Sequence, residues 1–174
     1  KSSFVKAGLL PQLGKHVRPV YLEATSDETE NRLLRNLRKS VRFIGERPLI
    51  QTIAALRHGE GLDDDEKVLI VIDQFEQWLH ANSEHDDQEL IDAIRQCDGG
   101  RVQCIVMIRD DFWMAATRFM RAVEVGLAEG ENSLAVDLFD VRHAKRVLAS
   151  FGRAFGTLPP DSKQTTRSQT AFLE

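Results

Sequence analysis

Asp73 closes the run Leu69-Ile70-Val71-Ile72-Asp73, and Glu76 stands three residues further on, within DQFEQW at 73–78. An acid placed directly after a buried strand emerges at the carboxyl end of a sheet, where open α/β sheets take their ligands. A buried carboxylate is costly without a cation or hydrogen-bond partners, and a hydrated Mg²⁺ bridging phosphates supplies the cation. The N-terminal Lys1-Ser2-Ser3 has the chemistry to complete such a site. KS at a helix start is what remains when the phosphate-cradling loop G-x-x-x-x-G-K-[ST] is cut after its second glycine; in the intact loop the lysine reaches the β- and γ-phosphates and the hydroxyl holds Mg²⁺. By position Lys1 is that lysine and Ser2 that hydroxyl, and with Ser3 they form the candidate nucleotide-binding group. Glu76 could polarise an attacking water. Arg109, which ends IVMIR at 105–109, could touch a γ-phosphate and report its presence.

Each of these residues also has a plainer reading. Lys1 and Ser2 could be a charged terminus and a capping serine. Asp73 could cap a helix starting at Gln74, and Glu76 could be a solvated first-turn glutamate favoured by the helix dipole. Arg109 could pair with Asp110, Asp111 or Asp73. Asp110 and Asp111 read as caps of the helix from Phe112, and Trp78 and Leu79 as packing residues. The five histidines show no HExxH or paired-ligand spacing, and Cys97 and Cys104 show no CxxC. Neither a zinc site nor a disulfide framework is suggested, and a reducing, cytoplasmic setting is expected.

The elements that must position these groups alternate. Short apolar or β-branched runs at 17–24, 67–75, 102–109 and 134–139 predict four strands. The middle two are apolar at consecutive positions, as strands read when helices cover both faces of a parallel sheet. Thr25 and Glu28 have capping-box spacing ahead of a stripe formed by Leu33, Leu34, Leu37, Val41 and Ile44. Further helices are predicted over 49–57, 86–97, 112–123 and 141–155, with a last one beginning near 168. Strand and helix in alternation argue for a layered α/β domain over 1–155, followed by a linker and the start of a helical region over 156–174.

Composition narrows the partners. At 174 residues and 42% hydrophobic, the chain can bury one core. Its longest apolar runs, 68–72 and 104–108, fall far short of the roughly 20 residues of a bilayer span, so no membrane partner is expected. Basic residues predominate over acidic ones in 1–44 and acidic over basic in 45–101. A broad nucleic-acid face is disfavoured, whereas a localised phosphate ligand needs only a few donors.

With Lys1-Ser2-Ser3, DQFEQW at 73–78 and IVMIRDDF at 105–112 in this order, the chain resembles the STAND class of P-loop NTPases, signalling ATPases related to AAA+ proteins. It is most similar to the bacterial "novel STAND" group, whose Walker B segment commonly reads DQFEE. The stretch 126–148 is similar to that group's next strand and helix, so the resemblance covers about residues 1–155. It implies a three-layer, ASCE-type parallel sheet with helices on both faces, with the missing first strand between those ending at Arg109 and Phe139. The chain is therefore expected to begin past the glycine loop and to lack that strand and loop, and residues 1–174 alone are expected to bind nucleotide poorly or not at all. The function implied is a nucleotide-dependent signalling switch that binds and hydrolyses ATP with Mg²⁺, joined in one chain to effector or repeat domains and self-associating with nucleotide. Lys1 and Ser3 would contact nucleotide, Ser2 and Asp73 would manage Mg²⁺, Glu76 would orient water and Arg109 would sense the γ-phosphate. Gln77 stands where many relatives carry a second glutamate. The alternative is a degenerate nucleotide-binding or protein-interaction module without turnover.

Overall fold

In the computed structural model the described residues are 2–42, 45–82, 88–136, 140–160, 164 and 166–173, with side chains described through 171. The strands are β1 (Val17–Glu23), β2 (Lys67–Asp73) and β3 (Val102–Val106), paired in the order β1-β2-β3 and parallel throughout. The helices are α1 (Thr29–Ser40), α2 (Leu49–Arg57), α3 (Glu76–Ala81), α4 (Gln88–Ile94), α5 (Trp113–Ala122), α6 (Val141–Ala154) and α7 (Arg167–Leu173). A helical segment over residues 2–12, mostly wound wider than an α-helix, precedes β1.

Why β2 lies in the middle follows from its side chains. Successive residues of a strand point to opposite faces, and every β2 residue from Val68 onward is buried. Val68, Ile70 and Ile72 join Val20, Leu22 and Val102 in one cluster with Leu33 and Leu37 of α1, Ile53 and Leu56 of α2, Leu90 of α4 and Phe119 of α5. Leu69 and Val71 face the other way and pack on Val5, with Leu9, Leu10, Leu13 and Tyr21 around them. The sheet thus carries helices on both faces, and the consecutive apolar pattern of β2 is the sequence mark of that double burial.

Most predicted elements appear within a few residues. α2 spans 49–57 as expected, and the predicted 112–123 helix is α5 preceded by one 3₁₀ turn, Asp110–Phe112. The capping-box reading needs amendment. The Thr25 hydroxyl does accept the Glu28 N–H at 3.2 Å, but Thr29 replies, accepting the Thr25 N–H at 2.8 Å, and α1 starts at Thr29. At its other end Val41 is already extended, so the predicted stripe ends inside the helix at Leu37; Ile44 lies outside the described residues. Of the predicted 86–97 helix, 86 and 87 lie outside them too. The predicted fourth strand does not form over 134–136, where Leu134 is 80% exposed and no ladder partner is present among the described residues; 137–139 lie outside the described residues.

By contact the chain divides into two compact units, residues 1–133 and 134–174. In the second, α6 begins at an Asp140 cap whose carboxylate accepts the His143 N–H, and Leu158 folds back on Gly152, its N–H bonded to the Gly152 carbonyl at 2.8 Å. Among the described residues no helix is long and apolar enough to cross a membrane.

This packing makes a testable distinction within one sheet. Ile70 is fully buried in the central strand and Ile105 of β3 is 36% exposed. Ile70→Ala is expected to cost about 2–5 kcal/mol in denaturant unfolding and Ile105→Ala less than about half of that; equal losses would contradict the assignment of the core.

Candidate functional site

Three parallel strands bring their carboxyl ends to one rim, and the register sets Glu23 opposite Asp73. Beyond β3 the ladder runs on through the Met107 N–H to the Ile72 carbonyl at 2.8 Å, while the Phe75 N–H reaches the Met107 carbonyl at 3.0 Å. Between them the chain reverses at Gln74, whose φ of 52° lies in the left-handed region. A non-glycine residue there costs roughly 1–2 kcal/mol. The reversal ends β2 at Asp73 and starts α3 at Glu76. Phe75, fully buried, anchors the turn by stacking on Trp78 and meeting Phe119 edge-on. Trp78 Nε1 donates to Glu30 Oε1 at 2.6 Å. Trp78 and Leu79 are packing residues, as their spacing suggests.

Asp73 is 3% exposed, and its carboxylate gathers donors from three elements. Oδ1 accepts the Gln74 N–H at 2.8 Å and Oδ2 accepts the Tyr21 hydroxyl. The Ser2 side chain lies close enough to the same carboxylate to favour its ionised form. Burial pushes the Asp73 pKa up, but the hydrogen bonds from Ser2, Tyr21 and Gln74 outweigh it with help from the Lys6 charge, and the result lies below the ordinary value of 3.8. Ser2 reaches this position because Val5, three residues on, is buried against Leu69 and Val71 of β2. One helical turn past Ser2, Lys6 lies 4.6 Å from the Tyr21 ring centre and bonds Glu23 Oε1 at 3.0 Å.

The sequence-predicted residues separate into three groups. Ser2 and Asp73 are brought together. Ser3 follows Ser2, exposed and making no side-chain cap of its helical segment; Lys1 lies outside the described residues. Glu76 opens α3 and is only 9% exposed, so it is not the solvated glutamate of the plainer reading, and none of the described residues donates to its carboxylate. Gln77 is exposed. Arg109 takes the ion-pair arrangement: its Nε and Nη2 hold Asp111 Oδ1 and Oδ2 at 3.1 and 2.8 Å, on the surface. Asp111 is therefore a partner of Arg109, and the first turn of α5 has no side-chain cap from either aspartate.

Tyr21, Lys6 and Glu23 were not singled out from sequence. Lys6 is four residues from Ser2, on the same helical face, which is a usable signal. Tyr21 gives none until the β1–β2 register is known.

Ser2 and Asp73 offer a hydroxyl and an ionised carboxylate at this rim. Both are hard oxygen donors, and they fit Mg²⁺, which is held by one or two protein oxygens with phosphates and water. Among the described residues no group of three or more His, Cys, Asp or Glu side chains is arranged to hold a metal ion.

The sequence profile of the family described as Novel STAND NTPase 1 matches residues 1–149. No curated protein and no solved structure matches the chain.

The depressed Asp73 pKa sets a sign for the pH dependence. An acid lowered on folding contributes stability that is present above its unfolded value, 3.8, and lost as the pH falls through its folded value. With EDTA present, the stability gap between wild type and Asp73→Asn in urea is expected to be constant above about pH 5 and to shrink below about pH 4. A gap that widens on acidification would contradict the hydrogen-bonded, ionised Asp73.

Proposed function

From the membership of this chain in the novel STAND NTPase 1 family, a family of nucleotide-binding NTPase modules, we propose that it binds and hydrolyses ATP with Mg²⁺ and acts as a nucleotide-dependent switch within a multidomain signalling protein. The observation that carries this reading is the convergence of the Ser2 hydroxyl on the Asp73 carboxylate at the carboxyl rim of the sheet. Ser2 and Asp73, 71 positions apart in sequence, share one corner at the end of the central strand. The strand order, with Asp73 on the central strand and Arg109 following its neighbour β3, is compatible with an ASCE-type layout.

In this reading Ser2 and Asp73 hold Mg²⁺, and Lys1 and Ser3 bind the phosphates. A Mg²⁺ held by Ser2 and Asp73 would supply charge neutralisation for the bound phosphates. Asp73 enters ionised, because Tyr21 and the Gln74 N–H stabilise its charge. Glu76, close to the Gln74 turn and sheltered from bulk water, orients the attacking water and accepts its proton. Arg109 serves as γ-phosphate sensor by exchanging Asp111 for a phosphate oxygen, a bidentate partner of the same geometry. That exchange provides a switch: with the γ-phosphate present the arginine is drawn to the site, and after its release the Asp111 pair re-forms. Self-association in the triphosphate state and coupling to effector or repeat domains follow from the same reading.

A second reading, nucleotide binding without turnover, is favoured by two particulars. Gln77 occupies the place of a second acid, and the Arg109 guanidinium is already held by Asp111.

Phosphate release by the natural gene product separates the two. Glu76→Gln is expected to lower kcat by about 10²–10⁴ with ATP affinity retained, and Asp73→Ala to abolish the Mg²⁺-dependent part of ATP binding. Equal turnover by Glu76→Gln and wild type would remove the role given to Glu76, and absent turnover with intact Mg-ATP binding in wild type would establish the second reading.

A further inference from the structure

Tyr21 stands apart from the residues that would meet nucleotide. It lies on β1, two residues before the strand's end and opposite Val71, so it faces the same side of the sheet as Asp73. Its ring belongs to the small cluster under the N-terminal segment, with Val5, Leu69 and Val71. Its hydroxyl donates to Asp73 Oδ2, and the Lys6 ammonium lies over its ring. Lys6 is in turn tethered to Glu23, also on β1. The ring is thus fixed from one side by the sheet and from the other by the segment that begins at Ser2.

We propose that Tyr21 is a positioning residue for the metal-binding carboxylate. Resting on the nucleotide reading above, the argument starts from what an aspartate can do. Its carboxylate rotates about the bond to Cβ, and a ligand that rotates binds a metal weakly because the productive orientation must be selected each time. At Asp73 the Gln74 N–H holds Oδ1 from the strand end and the Tyr21 hydroxyl holds Oδ2 from the neighbouring strand. Two donors on two oxygens stop that rotation. Tyr21 also links the two halves of the site, because the same ring that orients Asp73 supports Lys6, four residues from Ser2. A phenylalanine would preserve the ring, its packing and the cation contact while removing the single group that fixes Oδ2.

The test uses Tyr21→Phe in the natural gene product, with Mn²⁺ as the probe metal. Mn²⁺ affinity of the ATP-bound protein is read by electron paramagnetic resonance, and ATP affinity is measured separately in EDTA. Loss of an outer partner of a metal ligand typically weakens metal binding by 10–100-fold. Tyr21→Phe is therefore expected to weaken Mn²⁺ about tenfold while leaving metal-free ATP affinity within about twofold of wild type. Mn²⁺ affinity unchanged in the variant, or a parallel loss of metal-free ATP binding, would overturn the positioning role, the latter because it marks a general structural defect. Wild-type protein that shows no metal-dependent ATP binding would overturn the nucleotide reading and this role together, whereas wild-type binding with an indifferent variant would overturn the Tyr21 role alone.

Discussion

A carboxylate only 3% exposed at the end of the central strand must be supplied with donors, and that requirement organises the rim around it. Removing one partner from a buried charge typically costs about 3–5 kcal/mol, so the elements bearing those donors are tied to Asp73. The N-terminal segment brings Ser2, β1 brings Tyr21, and the left-handed turn at Gln74 brings a backbone N–H. The turn is itself unfavourable for glutamine. It is held in place by the burial of Phe75 and the bond from the Phe75 N–H to Met107. A strained reversal, a buried acid and a convergent hydroxyl at one point are the pattern expected where backbone strain serves a site rather than the core.

The two faces of the sheet have different tasks. The face covered by α1, α2, α4 and α5 carries the larger cluster and most of the apolar burial. The opposite face has a small cluster centred on Val5, Leu69 and Val71, and its cover is the segment that holds Ser2. Loss of the Val5 contact would therefore disturb the site before it disturbed the main core. At the far rim of the sheet, Arg18 pairs with Glu66, whose other oxygen takes the Asp63 N–H at 3.1 Å. The acidic turn before β2 is thereby pinned where the strand begins, at the end of the sheet opposite Asp73.

Much of this was legible from residue order. Four apolar residues followed by Asp73 carried both the burial of β2 on two faces and the position of its acid, because strand burial is written directly in consecutive apolar residues. The predicted helix over 49–57 forms as α2, with Pro48 at its start and Gly59 just beyond its end. Other features required three-dimensional register. Tyr21 is 52 residues from Asp73 in sequence, and only the pairing of Tyr21 with Val71 sets the two on one face. Competition between partners was equally invisible. Arg109 had three acids within reach by sequence, and the bidentate geometry with Asp111 decides among them. Residues 134–136 of the predicted fourth strand illustrate the converse, since an apolar run alone does not make a strand where the described residues supply no neighbour to pair with.

The central claim is that one hydroxyl and one carboxylate, Ser2 and Asp73, serve a single metal-bound triphosphate. Its most direct measurement is the crystal structure of the natural gene product with Mg²⁺ and a non-hydrolysable ATP analogue. The account predicts Mg²⁺ between the β- and γ-phosphates with the Ser2 hydroxyl as a ligand and Asp73 beside it, directly or through one water. Nucleotide bound elsewhere, with no metal near Ser2 or Asp73, would contradict it.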